Sequence, residues 1–374
     1  YFHDDMKLTS RLTLNLGIRW ELEGPLTERF DRLSAGFAGT VSNPIEAQAR
    51  ANYARTPIAE LRPEAFRVLG GLTWVNQGDL GRSPFRGEKN NLMPRIGLSF
   101  RLTPKTTLRA GYGIFHDSIG ASKTTAIQTG FSQSTPIQAS LDNGLTYVAT
   151  NANPLPNGLL APLGPKGGLT TNLNQSLQFY NYHRTHPYSQ RWSFNVQRLL
   201  PGQFMAEGTY VGNRGTRLGV DRELNATPAQ YLSTSPVRDQ ATIDYLSFSL
   251  ASPFFGIDPI YGRNTSRAAL LRPYPHFGGI TMQDDPVGYS WYHSLGMRAE
   301  RRFSKGFTFQ FGYTFSKMME AVEFLNATDP TPYESIGSLD RPHRLTMSGI
   351  WEIPVGRKRR FGADLPAPAS FVLS

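Results

Sequence analysis

The run His183-Arg184-Thr185-His186 spaces two imidazoles three residues apart, which on a helix could hold one metal ion. Here the run sits in a polar stretch just before a strand-like segment, and no further ligand can be assigned, so a loop is expected. His3, His116, His276, His293 and His343 are isolated. Asp4-Asp5 and Asp284-Asp285 are paired carboxylates of the kind that serve acid–base work or calcium. Neither fits an EF-hand loop, and they are expected at a strand end and in a loop. The glycine-rich stretch 164–168 has no Lys-Ser/Thr after its last glycine, so it is not a phosphate loop. No serine lies in a Gly-x-Ser-x-Gly elbow. Cysteine is absent, which removes thiol catalysis, Cys-ligated zinc and disulfides together. Asn225-Ala226-Thr227 and Asn326-Ala327-Thr328 match the short glycosylation acceptor, a weak signal. The aromatic-rich segment FYNYHRTHPYSQRW (179–192) could contact a ligand or carbohydrate, and packing or an interface girdle explains it equally well. No catalytic, cofactor-binding or metal residue is assigned, and the chain is not expected to be an enzyme.

The elements around these residues are more telling. From Arg11 to Leu22 the even positions are Leu12, Leu14, Leu16, Ile18, Trp20 and Leu22. The odd positions are Arg11, Thr13, Asn15, Gly17, Arg19 and Glu21. Period two marks a strand with unlike faces, since a helix would scatter these residues around its circumference. The pattern recurs at Ile96-Leu98-Phe100-Leu102, Leu108-Ala110-Tyr112-Ile114 and Trp192-Phe194-Val196. It recurs again, more weakly, at Phe204-Ala206-Gly208-Tyr210, and then at Phe307-Phe309-Phe311-Tyr313-Phe315 and Leu345-Met347-Gly349-Trp351-Ile353. Gly111 and Gly113 fall inside one strand, where a crowded interior or a bend would call for them. Nine strands are predicted, at 1–7, 11–22, 92–102, 106–116, 188–199, 203–213, 289–303, 306–317 and 341–354, with a tenth starting near Ala369.

Very short turns at 9–10, 103–105, 201–202 and 304–306 alternate with long connections at about 23–91, 117–187, 214–288 and 317–340. That alternation is the habit of a transmembrane barrel, with tight turns on the periplasmic side and long loops outside. Strand length agrees: the 11–22 segment at about 3.3 Å per residue and about 45° tilt spans about 28 Å, close to the apolar thickness of a membrane. Trp20, Phe115, Tyr210, Trp291, Tyr292, Phe315 and Trp351 near strand ends are expected at the membrane interface, and Arg301 is expected to snorkel to headgroups. The chain has 374 residues, 36 Gly, 27 Pro and 12% aromatics, which suits many strands joined by turns. Net charge is +10, but the only dense basic run is Arg357-Lys358-Arg359-Arg360 and the rest is scattered among Asp and Glu. Contact with anionic lipid explains this, and nucleic acid is not an expected partner. No run of eighteen apolar residues exists to cross a membrane as a helix. The fold class expected is all-β, an antiparallel transmembrane β-barrel. Residues 1–374 are read as part of one larger barrel domain, because the count is odd and the first strand is cut; a closed ten-stranded barrel is the alternative.

Five segments, in order, resemble the barrel of Oar-like TonB-dependent receptors, which carry a carboxypeptidase-regulatory-like domain before the plug. They are YFHDDMKLTSRLTLNLGIRWELEGPLTERFDRL (1–33), PRIGLSFRLTPKTTLRAGYGIFHD (94–117), YVGNRGTRL (210–218), YHSLGMRAERRFSKGFTFQFGYTFSK (292–317) and DRPHRLTMSGIWEIPVGRKRRFG (340–362). The resemblance implies a barrel of about 22 strands in the bacterial outer membrane, plugged from within and driven by TonB. It also implies uptake of a small molecule, peptide or oligosaccharide. The motifs are structural, so no catalytic residue comes with them. Signal peptide, plug and TonB box are not visible in the sequence and are expected upstream. An unplugged porin or adhesion barrel shares the same wall, and a secreted carbohydrate-active β-protein would need clustered carboxylates at strand ends, which are not found.

Overall fold

The computed structural model describes residues 1–117, 126–135, 137, 139, 140, 145–304, 306–354 and 361. The basic run 357–360 and the tenth strand expected near Ala369 lie outside the described residues, as does Lys305 in its turn. In chain order the strands are β1 (Phe2–Lys7), β2 (Leu12–Glu23), β3 (Ser34–Phe37), β4 (Leu72–Trp74), β5 (Glu88–Thr103), β6 (Thr106–His116), β7 (Leu177–Tyr180) and β8 (Tyr188–Leu200). They continue as β9 (Phe204–Glu223), β10 (Ser249–Ala251), β11 (Asn264–Ser266), β12 (Ile280–Ser304), β13 (Phe307–Ala321), β14 (Ser335–Ile336) and β15 (His343–Trp351). Among the described residues, three short α-helices, α1 (Glu46–Tyr53), α2 (Gln240–Ser247) and α3 (Arg267–Leu270), lie in the long connections. No described helix is long and apolar enough to cross a membrane, which says nothing of strands.

Every segment that alternates apolar and polar in sequence is a strand of one wall. The order is β1-β2-β5-β6-β8-β9-β12-β13, with β15 and β14 on the far side of β13, and each wall neighbour is antiparallel. Register carries the alternation across the sheet. One row runs Leu14, Leu98, Ala110, Phe194, Tyr210, Leu295, Phe315 and His343. The next row, on the other face, runs Thr13, Ser99, Arg109, Asn195, Thr209, Gly296, Thr314 and Arg344. A one-residue slip anywhere would swap the faces, so the pairing is strongly specified.

Among the described residues, nothing covers the apolar face. Leu98, Phe194, Leu295 and Phe315 are exposed, Phe315 by 50%. A water-soluble sandwich would bury that face against a second sheet. Here the covering phase is lipid. Gly212, opposite Trp192 on this face, leaves room for the indole to lie flat, and a Cβ there would collide with the ring. Lipid-phase anchors bracket the band. At one end Arg214 stacks over Tyr289 at 4.8 Å and Trp291 at 5.5 Å. At the other, Arg301 lies 5.5 Å from the Phe204 ring and 5.4 Å from that of Phe307. From Trp291 to Arg301, about 3.3 Å per residue at about 45° tilt gives about 23 Å, close to the height of the apolar band of outer-membrane barrels. Two of the aromatics expected at the interface face the other way. Phe115 and Tyr292 fall in the polar-face parity of their strands, Phe115 beneath the guanidinium groups of Arg95 at 4.7 Å and Arg191 at 5.9 Å.

The described parts of the long connections carry ordered elements of their own. β9 and β12 run on as a paired ribbon past the wall, through register shifts at Asp285 and Gly288. Around this ribbon gathers a head that contains the main hydrophobic core: Phe66, Val68, Leu72, Trp74, Leu177, Phe254, Leu270 and Ile280 are all 2% exposed or less. Gly70, at φ +88°, lets the backbone pass beside the Phe37 ring where no Cβ would fit.

Candidate functional site

The polar groups singled out in the sequence resolve into structural contacts of the head. His183 is exposed, whereas His186 is buried, its Nδ1 2.6 Å from Asn91 Nδ2 and its N–H donating to Glu88 Oε2 at 2.6 Å. The helix-like spacing of the two imidazoles therefore brings no shared ligand site. Among the described residues, no three His, Asp or Glu side chains converge as a metal would require. Asp284 sits in the left-handed region at φ 60°, where Asp is tolerated, and pairs with buried Arg184 at 3.3 Å. Asp285 accepts from Arg222 Nε at 2.9 Å and from Asn181 Nδ2 at 3.2 Å. These carboxylates lock β12 to its neighbours where it leaves the wall. Asp5 is an exposed wall residue opposite Asn15, 3.1 Å from His3, and Asp4 is an exposed edge residue beside it. The glycine-rich 164–168 stretch starts a short 3-10 segment, Gly164–Thr170. The aromatic-rich 179–192 segment is divided: Phe179 and Tyr180 are buried in the head, while Tyr188 and Trp192 belong to the wall.

Asn225, one of the two glycosylation-pattern asparagines, is 1% exposed. Its Nδ2 donates to the Tyr274 carbonyl at 2.9 Å and the Gly278 carbonyl at 2.6 Å, and its Oδ1 accepts from the Tyr274 N–H at 2.8 Å. The side chain staples the 274–278 turn to the end of β9. Asn225→Ala is expected to cost the head about 2 kcal/mol, because it strands these backbone groups; limited proteolysis of the head checks it. Asn326 is exposed and capped by Asp329.

A carboxyl and an imidazole are buried in the head. Burial alone would raise the Glu46 carboxyl, but hydrogen bonds from Arg67 Nε at 2.5 Å, from Ser42 and from the Val68 N–H hold it below the ordinary range. His276 is fully buried against Phe277 at 4.2 Å, and burial pushes its imidazole down to about 4. It is neutral at pH 7. As pH falls below about 6.5, the unfolded chain takes up a proton that the folded head refuses until about pH 4. Stability present above pH 6.5 is therefore lost between pH 6.5 and 4, by up to about 3 kcal/mol. His276→Gln is expected to flatten this loss, read as protease protection of the head against pH.

Beside the core, a cleft of ≈ 990 Å³ opens between residues 126–134, 172–180 and Gln283 of β12. Its lining is rich in amides and hydroxyls, with the rings of Phe131 and Tyr180 among them. It is of ligand-binding size. No motif in the sequence pointed to it, since its amides come from separate stretches of two long connections.

One apolar-out, polar-in antiparallel wall with a folded head over one end defines a transmembrane β-barrel wall. The family match agrees: the chain belongs to the family described as outer membrane beta barrel domain, which matches residues 1–374. Its place is the bacterial outer membrane, with the polar face to the lumen. Among solved structures the chain is similar to the ferripyoverdine receptor of the outer membrane of Pseudomonas aeruginosa, at 8% identity over 93% of this chain and 25% of that chain, with TM-score 0.34. It is similar to the alcaligin outer membrane receptor FauA of Bordetella pertussis, at 9% identity over 94% and 33% with TM-score 0.34. It is also similar to the outer membrane transporter YddB of Escherichia coli, at 12% identity over 70% and 26% with TM-score 0.34. The chain thus spans between a quarter and a third of the length of these proteins. No curated protein matches it.

Proposed function

We propose that the chain is part of the wall and outer vestibule of a TonB-dependent receptor of the Oar-like type. On this reading it takes up a solute across the outer membrane and has no chemistry of its own. The observation that supports it is the head: three long connections fold onto one core and a cleft at one end of the wall, as a ligand-gathering vestibule requires. The short turns at residues 9–10, 103–105 and 201–202 lie at the opposite ends of the strands and would face the periplasm. A plug encoded upstream would fill a closed barrel of about 22 strands.

Capture of the full-length protein from outer membranes by the periplasmic domain of TonB tests this reading. Retention is expected. No retention, together with a steady open conductance in planar bilayers, would assign an unplugged porin instead.

A further inference from the structure

We infer that the head cleft binds a neutral, hydroxyl-rich ligand, an oligosaccharide by its chemistry. The inference rests on the receptor reading and names the substrate class of its vestibule. The amides of Gln128, Gln133, Asn172, Gln175, Gln178 and Gln283 line the cleft. Serine and threonine hydroxyls stand between them. The chain is 18% charged, yet no Asp, Glu, Lys or Arg is among the described residues of the lining.

That composition selects by chemistry. Each primary amide offers two N–H donors and a carbonyl acceptor, and each hydroxyl donates and accepts. Sugar hydroxyls need both roles from the same partner. A ferric chelate or an acidic peptide would instead lose hydration with no cation to replace it. Two amides are held in place by the fold. Gln178 of β7 and Gln283 of β12 sit on adjacent parallel strands, and Gln283 Nε2 donates to Gln178 Oε1 at 3.3 Å. That bond uses only part of either amide's capacity. One ring wall is fixed as well. Phe131, half-buried, meets Trp74 edge-on at 5.2 Å. A rigid aromatic ring suits the C–H face of a pyranose.

The test is calorimetric titration of the full-length protein in detergent with neutral gluco-, galacto-, manno- and xylo-oligosaccharides, and with carboxylated or sulfated oligosaccharides of the same length. At least one neutral member is expected to bind saturably, with Kd changing less than about twofold between low and high salt, because no ion pair is screened. Gln178→Ala with Gln283→Ala is expected to weaken that binding about tenfold while heat-modifiable migration in gels persists. If the double variant loses that migration, Gln175→Ala makes the same comparison. Binding by no neutral member, preference for the anionic series, or binding indifferent to these variants would overturn the inference. Equilibrium binding needs no energy source, so loss of TonB capture with binding intact would refute the receptor reading alone.

Discussion

Phe66→Ala is expected to remove about 3–5 kcal/mol from the head, the cost of deleting a fully buried ring, while leaving the wall folded. Phe66 is 1% exposed and stacks on Tyr53 at 4.2 Å. It also lies 6.2 Å from Phe254, which comes from a connection almost two hundred residues further on. The ring thus joins the first long connection to the third. The wall strands share none of these contacts, so their antiparallel ladder persists. In a urea titration the variant should show early protease cleavage within 23–91 and 214–288. Its heat-modifiable band should keep the parent's midpoint. A single shared shift of both would mean that head and wall unfold as one unit.

Leu295→Arg is expected to destabilise the wall by about 2–4 kcal/mol, the cost of a guanidinium near the middle of the lipid-facing band. Leu295 is 47% exposed between Tyr210 and Phe315 in the central apolar row. Gln310→Arg is the control. It lies on the lumenal face opposite Glu300, where a cation gains a partner, and should change stability by less than about 1 kcal/mol. Folding free energy in lipid vesicles measures both. Equal costs for the two variants would show that the faces had been assigned wrongly.

Much of the wall could be read from residue order. Each of the nine strands expected from alternation is present, because a wall strand sees lipid on one side and lumen on the other along its whole length. The two misplaced aromatics show the limit of that reading. Phe115 and Tyr292 are near strand ends, but parity puts them with the polar residues. Composition by position found the band, and only parity gives the side.

The head was not legible for a physical reason. Its strands β3, β4, β7, β10 and β11 are three or four residues long, too short for a period to show. Its order comes from distant contacts. Asn43 Nδ2 donates to the Leu169 carbonyl at 2.9 Å across 126 positions of chain. His276 looked isolated in sequence and is the most deeply buried imidazole of the head. The amides of the cleft likewise carry no spacing rule, since the fold alone gathers Gln128, Gln178 and Gln283.

Sidedness is the most direct measurement. These 374 residues hold no cysteine, so a single thiol introduced among them is the only one in this stretch of the protein. Ser235→Cys, exposed in the head, should react with a membrane-impermeant maleimide on intact cells. Ser10→Cys, exposed in the first short turn, should react only after the outer membrane is opened. The reverse pattern would place the head in the periplasm, and labelling of both on intact cells would show that the strands do not span the membrane at all.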